Sequence, residues 1–539
     1  MHPHKLNCLV RSANSCLRWV VPLLFAAALG AKAESRPNII VILSDDVGWG
    51  DISANQPSNK FKTPAVDEIA REGMRFTNAH APHAVCTPTR YSLLTGRYCW
   101  RTFLREGVLP GYGKALIPTT RLTLASLCRE QGYATGAFGK WHIGLDWQAV
   151  EGDPGDFHYG SQIHGANQAV ADISQRVDHT VRIKGGPTDL GFDTFFGTPS
   201  NRSRIPVFMR DDRILGSPAR DETGLMRDPE MRGDTVDDLY VDGAIAFMER
   251  SVAADKPFFV YLPINAAHGA IQVPKEFKGK SGVSSRADRV LWVNKSVGRI
   301  TATLEALKQV DDTLLIFTSD NGPFAARGED LKQGHDASGP YRGFKTDAWD
   351  GGTRVPFMVR WPGKVAAGTT NDALVGLTDI MATLAAVFDK PLPDWAGEDS
   401  YNQLPTFLGE ANAGRQSMIT QSYTGILSIR EGRWKLILDT KGSGGFYRYS
   451  PEVQRHTTMA PWRPDLSNSG QLYDVQNDPY ETSDVFNENP EIVAALQTQL
   501  RASINGGRTR PLPQFGGRTS SKTIEVFPAL RAHPFGLNP

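Results

Sequence analysis

The chain has 539 residues, is 40% hydrophobic, and carries 59 basic against 58 acidic side chains. That length can bury a large core and implies two or more domains. The near-zero net charge argues against nucleic acid as a partner, so any preference for an anionic substrate must come from a local cluster.

At the N-terminus, Lys5, Arg11 and Arg18 precede an apolar run over 19–29 and then Ala31-Lys32-Ala33. A basic start, a short apolar core and a small-x-small end predict a secretory signal peptide over 1–33. The run is short for a transmembrane helix, so no stable membrane anchor is expected. The mature chain is expected from about Glu34, exported to the periplasm or beyond. Losing Cys8 and Cys16 with the signal leaves Cys86, Cys99 and Cys128, an odd number for an oxidising compartment.

Asn38-Ile39-Ile40-Val41-Ile42-Leu43 is a short apolar, β-branched run, as expected of a strand buried on both faces. It ends in Ser44-Asp45-Asp46 before a Gly-rich turn. Adjacent carboxylates there are costly unless paired, and a divalent cation with hard oxygen ligands, calcium or magnesium, would pair them. Residues 63–73 read as a short helix with Pro64 near its start. Next comes Cys86-Thr87-Pro88-Thr89-Arg90-Tyr91-Ser92-Leu93-Leu94-Thr95-Gly96-Arg97. A cysteine at a helix N-terminus feels aligned N–H groups that favour an anion, and Arg90 adds a positive fork one turn away. Residues 93–97 read as the first turns of the helix.

This stretch resembles the signature of the type I sulfatases, the formylglycine-dependent, arylsulfatase-like members of the alkaline phosphatase superfamily. The resemblance implies that Cys86 is oxidised after synthesis to formylglycine by a maturation enzyme, and that the hydrated aldehyde is the nucleophile. One diol oxygen attacks sulfur, and the other then expels sulfate by re-forming the aldehyde, a route a thiol lacks. If Cys86 is converted, Cys99 and Cys128 are free to pair, a pairing that is permitted and no more.

Further along, residues 122–131 read as a helix and 133–138 as a strand delivering Gly139-Lys140-Trp141-His142. The i,i+2 spacing of Lys140 and His142 points both to one side of an extended segment, as an anion clamp requires. Residues 152–233 are rich in Gly, Pro, Asp and Arg and read as variable loops, with most of His158, His164 and His179 expected at the surface and no individual role assigned. A helix over 235–251 and a strand over 256–262 lead to Asn265-Ala266-Ala267-His268-Gly269. The resemblance makes His268 a general acid or sulfate ligand, although Gly269 departs from the family's His-x-Pro setting.

A helix over 291–310 and a strand over 313–318 lead to Ser319-Asp320-Asn321-Gly322. Two strand ends thus carry oxygen-ligand pairs, Asp45-Asp46 and Asp320-Asn321, as a hard-cation cage requires. The family binds calcium at the matching positions, which implies one Ca2+ completed by residue 86. His335 reads as a solvated loop histidine. The segment from Gly343 to Pro356 resembles the family's Gly-x-Lys…Glu-Gly-Gly-x-Arg-Val-Pro, with Asp350 where Glu is usual, and makes Lys345 a sulfate ligand. Residues 374–388 read as an apolar helix, 391–399 as a linker, and 427–430 with 434–438 as antiparallel strands before a helix over 490–504.

Strands alternating with helices predict an α/β chain with a mixed, mostly parallel central sheet sandwiched by helices and the site at its carboxyl edge. The resemblance implies the alkaline-phosphatase-like fold, with a catalytic domain over 34–400 and a smaller antiparallel sheet plus helix over 401–539. The expected reaction is hydrolysis of a sulfate ester, a small molecule or more especially a carbohydrate. In it Lys140, Lys345 and calcium hold the sulfate, Arg90 and His142 orient the diol, and His268 assists the leaving alcohol. The alternatives are a phosphonate or phosphodiester hydrolase on the same fold, and a non-catalytic sulfated-glycan-binding protein.

Overall fold

The computed structural model describes residues 36–152, 173–201, 205–222, 224–269, 271–324, 329–410, 414–439 and 470–511. The expected signal peptide, His158 and His164 lie outside them. A ten-stranded sheet organises the chain. Its strands are β1 (Asn38–Ser44), β2 (Met74–Phe76), β3 (Ala134–Lys140), β4 (Thr194–Thr198), β5 (Met209–Arg210), β6 (Arg213–Ile214), β7 (Phe258–Pro263), β8 (Thr313–Ser319), β9 (Phe357–Arg360) and β10 (Thr369–Asn371). The spatial order is β10-β2-β9-β8-β1-β7-β3-β4-β5-β6. The central run β8-β1-β7-β3-β4 is parallel, and antiparallel strands flank it on both sides.

The alternation of β1 shows why it sits at the centre. Ile39, Val41 and Leu43 enter one core while Ile40 and Ile42 enter the other. Both faces are covered: α1 (Pro64–Glu72), α4 (Val236–Ala253) and α5 (Ser285–Ala306) pack on the second, and α2 (Cys86–Thr95), α3 (Leu124–Glu130) and α6 (Ile380–Val387) on the first. A parallel sheet so covered needs apolar residues on both faces, as the central residues of β1, β7 and β8 supply. The C-terminal part forms a four-stranded antiparallel sheet, β11 (Ser417–Gln421), β12 (Leu427–Glu431), β13 (Trp434–Ile437) and β14 (Gln471–Asp474), with α7 (Pro490–Asn505) packed on it. Tyr98 and Trp100, just past α2, complete that smaller core.

Several boundaries differ from the sequence reading. Helix α2 begins at Cys86, so Leu93–Thr95 form its last turn rather than its first, and Gly96 ends it in the left-handed conformation (φ 64°). Helix α5 starts at Ser285, well before 291, because its first turns bury Arg286 and Arg289 through polar contacts that an apolar pattern does not reveal. Val375–Gly376 form a short strand and Leu377–Asp379 a 3-10 turn, and the α-helix begins only at Ile380. Within 391–399 the later residues pack onto the fold: Asp399 is buried and accepts both Arg101 Nε and NH2 at 2.8 Å.

His335 is likewise buried rather than solvated. Its Nε2 lies 2.8 Å from Asp51 Oδ1, and Arg286 clasps both oxygens of Asp51 at 2.7 Å. Burial alone would raise the Asp51 pKa, but Arg286 and His335 outweigh it and hold the carboxyl at about 2. The folded value lies below the unfolded one of about 3.9, so this stabilisation is complete above pH ~4 and is lost as pH falls toward ~2. Arg286 also pairs with Asp330 at 2.6 Å. Arg286→Ala therefore removes the arginine shared by two carboxylates, leaving Asp51 with His335 alone as a side-chain partner, and should cost about 3–5 kcal/mol in urea unfolding at neutral pH.

Candidate active site

The parallel strands send their carboxyl ends to one edge, and the site is built there. Ser44 pairs with Ser319 in register, and Asp320 N donates to Ser44 O at 3.0 Å, so Asp45-Asp46 and Asp320-Asn321 leave the sheet side by side. Strand β3 contributes Lys140 and the loop after β7 contributes His268. Helix α2 directs its N-terminal Cys86 to the same point. Ligating atoms of Asp45, Cys86 and Asp320 lie within 4.8 Å of one another, as do those of Asp45, Asp46 and His268.

Cations bind the outer oxygens of the carboxylates. Arg90 NH2 and Nε reach Asp320 Oδ2 at 2.7 and 3.1 Å, NH2 also reaches Asp45 Oδ2 at 3.3 Å, and NH1 donates to the Lys140 carbonyl at 2.9 Å. The Arg90 fork is thus committed to carboxylates and a carbonyl. Lys140 Nζ lies 2.5 Å from Asp45 Oδ2, and Lys345 Nζ lies 2.5 Å from Asp46 Oδ1. Asn321 Nδ2 donates to Asp46 Oδ1 at 2.8 Å. Among the described residues this leaves Asp45 Oδ1, Asp46 Oδ2 and Asn321 Oδ1 buried with no hydrogen-bond donor. Buried acceptors without donors cost about 1–3 kcal/mol each, and an all-oxygen set of this kind fits a hard dication.

The electrostatics agree with that crowding. Burial would raise Asp45, yet Lys140, His268 and Arg90 outweigh it and hold the carboxyl far below its usual range. Burial and the neighbouring Asp45 charge push Asp320 up to about 6. Burial also raises the Cys86 thiol, against the pull of Lys140 and Lys345, so the unmodified side chain is a neutral thiol. His268 is driven down to about 4, first by burial and then by Lys345 and Lys140, against the pull of Asp45 and Asp46.

His142 departs from a simple extended presentation. Its φ is 56°, and Nε2 lies 3.2 Å from the Leu109 carbonyl, so that nitrogen carries the proton. Nδ1 is buried with no hydrogen-bond partner among the described residues. Asp46 is also left-handed (φ 62°). Non-glycine residues held in this region are a known concentration of strain at functional sites.

A C-terminal segment that sequence reasoning left out of the site holds two of its loops. Ala84 N donates to Gln421 O at 2.9 Å, Tyr423 N to Thr346 O at 2.9 Å, and Thr346 N to Ala84 O at 2.8 Å. The end of β11 therefore ties the residues before Cys86 to the residue after Lys345. Close backbone approach does the rest: a Cβ at Gly322 would lie 1.8 Å from the Gly351 carbonyl oxygen. Among the cysteines, Cys86, Cys99 and Cys128 are all buried and free, so Cys99 and Cys128 form no disulfide here.

Residues 37–390 match the family model described as Sulfatase. The chain belongs to the sulfatase family. This sulfatase is 32% identical to an N-acetylgalactosamine-6-O-sulfatase of Bacteroides thetaiotaomicron over 520 residues, covering 87% of this chain and 93% of that one. It is 29% identical to human arylsulfatase A over 502 residues, with 90% and 92% covered. A solved B. thetaiotaomicron sulfatase, described in terms of the metabolism of multiple glycosaminoglycans, superposes with a TM-score of 0.71 at 32% identity, covering 87% of this chain and 99% of that one. A phosphonate monoester hydrolase of Agrobacterium radiobacter shares the fold at 19% identity and a TM-score of 0.54, with 88% and 96% covered. The sulfatase is thus a type I member of the alkaline phosphatase superfamily and a sulfuric ester hydrolase. Among its described residues, no helix is long and apolar enough to cross a membrane.

Proposed function

We propose that this sulfatase hydrolyses sulfate esters through a formylglycine made from Cys86, beside one calcium ion held by Asp45, Asp46, Asp320 and Asn321 with residue 86. The observation that carries the reading is the convergence of Asp45, Cys86 and Asp320 within 4.8 Å on the edge where β1, β3, β7 and β8 end. A hydrated aldehyde at residue 86 supplies a nucleophilic oxygen and, by re-forming the carbonyl, a route for releasing sulfate. Calcium would withdraw charge from the sulfate oxygens.

The other roles belong to the chain's own residues. Lys140 and Lys345 face the anion as fixed positive charges. Arg90 keeps Asp45 and Asp320 in place and so acts behind the reacting atoms. His142, with its proton on Nε2 toward Leu109, offers the Nδ1 lone pair to a hydroxyl at residue 86. His268 is neutral at neutral pH, so it serves the departing oxygen as an N–H donor rather than as an imidazolium. The substrate class we assign is a sulfated carbohydrate, in keeping with relatives named for N-acetylgalactosamine 6-sulfate. Export after removal of residues 1–33, action of a maturation enzyme, and division into a catalytic part to about 400 and a smaller C-terminal part complete the proposal.

Mass spectrometry of the tryptic peptide containing residue 86 tests it: active protein should show loss of sulfur and gain of oxygen there. An unmodified thiol throughout a fully active preparation would overturn it. Lys345→Ala removes a charge-assisted contact to sulfate worth about 1.5–3 kcal/mol, so kcat/KM for an aryl sulfate should fall roughly 10- to 100-fold. Turnover of phosphonate and phosphodiester substrates at rates matching aryl sulfate would favour the other hydrolase class on this fold.

A further inference from the structure

Asp237 lies in the first turn of α4 and is fully buried. Its carboxylate accepts two successive backbone N–H groups of the loop after β7. Asn265 N donates to Oδ1 at 2.8 Å and Ala266 N donates to Oδ2 at 2.7 Å. The same short loop then interlocks with the metal-site strand: Asp45 N donates to Ala266 O at 3.2 Å and Ala267 N to Asp45 O at 2.6 Å. From the other side Arg289 Nε donates to Ala267 O at 3.1 Å, and its NH1 to Ile271 O at 3.2 Å. Asn265 Nδ2 donates to the Tyr240 hydroxyl at 3.2 Å, on the same face of α4 as Asp237. The residue that emerges from this clamp is His268, whose N–H returns to Asn265 O at 3.0 Å.

We propose that Asp237 is a positioning residue for His268: by gripping the 265–266 backbone it sets where the imidazole meets the departing oxygen of the ester. The inference rests on the role given to His268 above. Each carboxyl oxygen takes one of two successive backbone N–H groups, which fixes both the position and the direction of the loop. Asparagine is nearly isosteric but opposes an N–H donor to one of those backbone N–H groups. The loop must then shift, and a displacement of about 1 Å can cost roughly 100-fold in rate.

The test is a double-mutant cycle on the matured, metal-loaded enzyme with two probes, 4-nitrophenyl sulfate and phenyl sulfate. The nitrophenolate leaves without help, whereas phenolate needs the donor. Asp237→Asn should lower kcat about 10- to 100-fold on phenyl sulfate and several-fold less on 4-nitrophenyl sulfate, with KM changed little. In a His268→Ala background the same substitution should cost nothing further, since the group it positions is gone. Equal losses on both probes, or additive losses in the double variant, would reduce Asp237 to a purely structural residue and overturn the inference. A His268→Ala enzyme as active as the parent on both probes would instead sink the His268 role and this coupling with it. If Asp237→Asn does not fold, Tyr240→Phe, which removes the hydroxyl holding Asn265, replaces it in the same cycle with the same outcomes.

Discussion

Replacing Cys86 by alanine should lower sulfatase turnover by at least about 10^4-fold, the scale seen when a covalent nucleophile is removed, while the folded state survives. Alanine removes one sulfur atom at the first position of α2, where the helix is held by its other nine residues and by Gly96 at its end. The expected stability change is about 1–2 kcal/mol, small beside the catalytic loss. The comparison that sharpens the test is wild-type protein made where no maturation enzyme acts. Its Cys86 is a buried neutral thiol, because burial outweighs Lys140 and Lys345. That protein should be as inactive as Cys86→Ala and should keep the same response to calcium in a thermal melt. Appreciable aryl sulfate turnover by either form, checked by the residue-86 peptide mass, would remove the nucleophile from residue 86.

Much of this site is written in short local patterns, and the physics says why. A parallel strand covered on both faces must be apolar on both, so the charged residues that end it stand out: Asp45-Asp46 after β1, Lys140 at the end of β3, Asp320-Asn321 after β8. Adjacent strands in register then bring those ends together without further instruction from the sequence. What stayed hidden depends on contacts between distant segments. His335 sits in a polar stretch that reads as solvent-exposed, yet Asp51 and Arg286, 284 and 49 positions before it, bury it in an ion-paired network. Arg90 resembles a substrate-facing cation until Asp320, 230 residues away, is seen to occupy its fork. The Gln421–Tyr423 clamp on residues 84 and 346 is made of backbone hydrogen bonds, which any side chain permits and no motif announces. Asp237 could be picked out only as an acidic residue in a helix's first turn, a common and stabilising placement in its own right.

Charge balance carries the second large prediction. Asp45, Asp46 and Asp320 are matched by Arg90, Lys140 and Lys345, so the protein groups alone are neutral overall. A dication would give the site a surplus of two positive charges, suited to a sulfate group that leaves as a dianion. It would also occupy the space faced by Asp45 Oδ1, Asp46 Oδ2 and Asn321 Oδ1. Treatment with a chelator should therefore abolish turnover and lower the melting temperature, and calcium should restore both. At an ion concentration 100 times its dissociation constant, the stabilisation lost is about 2.7 kcal/mol. Asp46→Ala separates this effect from simple loss of an ion pair. It removes one orphan oxygen and also frees Lys345, whose Nζ is 2.5 Å from Asp46 Oδ1, so the variant should be less stable at the outset. Its melting temperature should then no longer respond to chelator or to calcium up to concentrations that saturate the parent. A full calcium response in Asp46→Ala, or unchanged turnover after rigorous chelation of the parent, would move the ion away from the ends of β1 and β8.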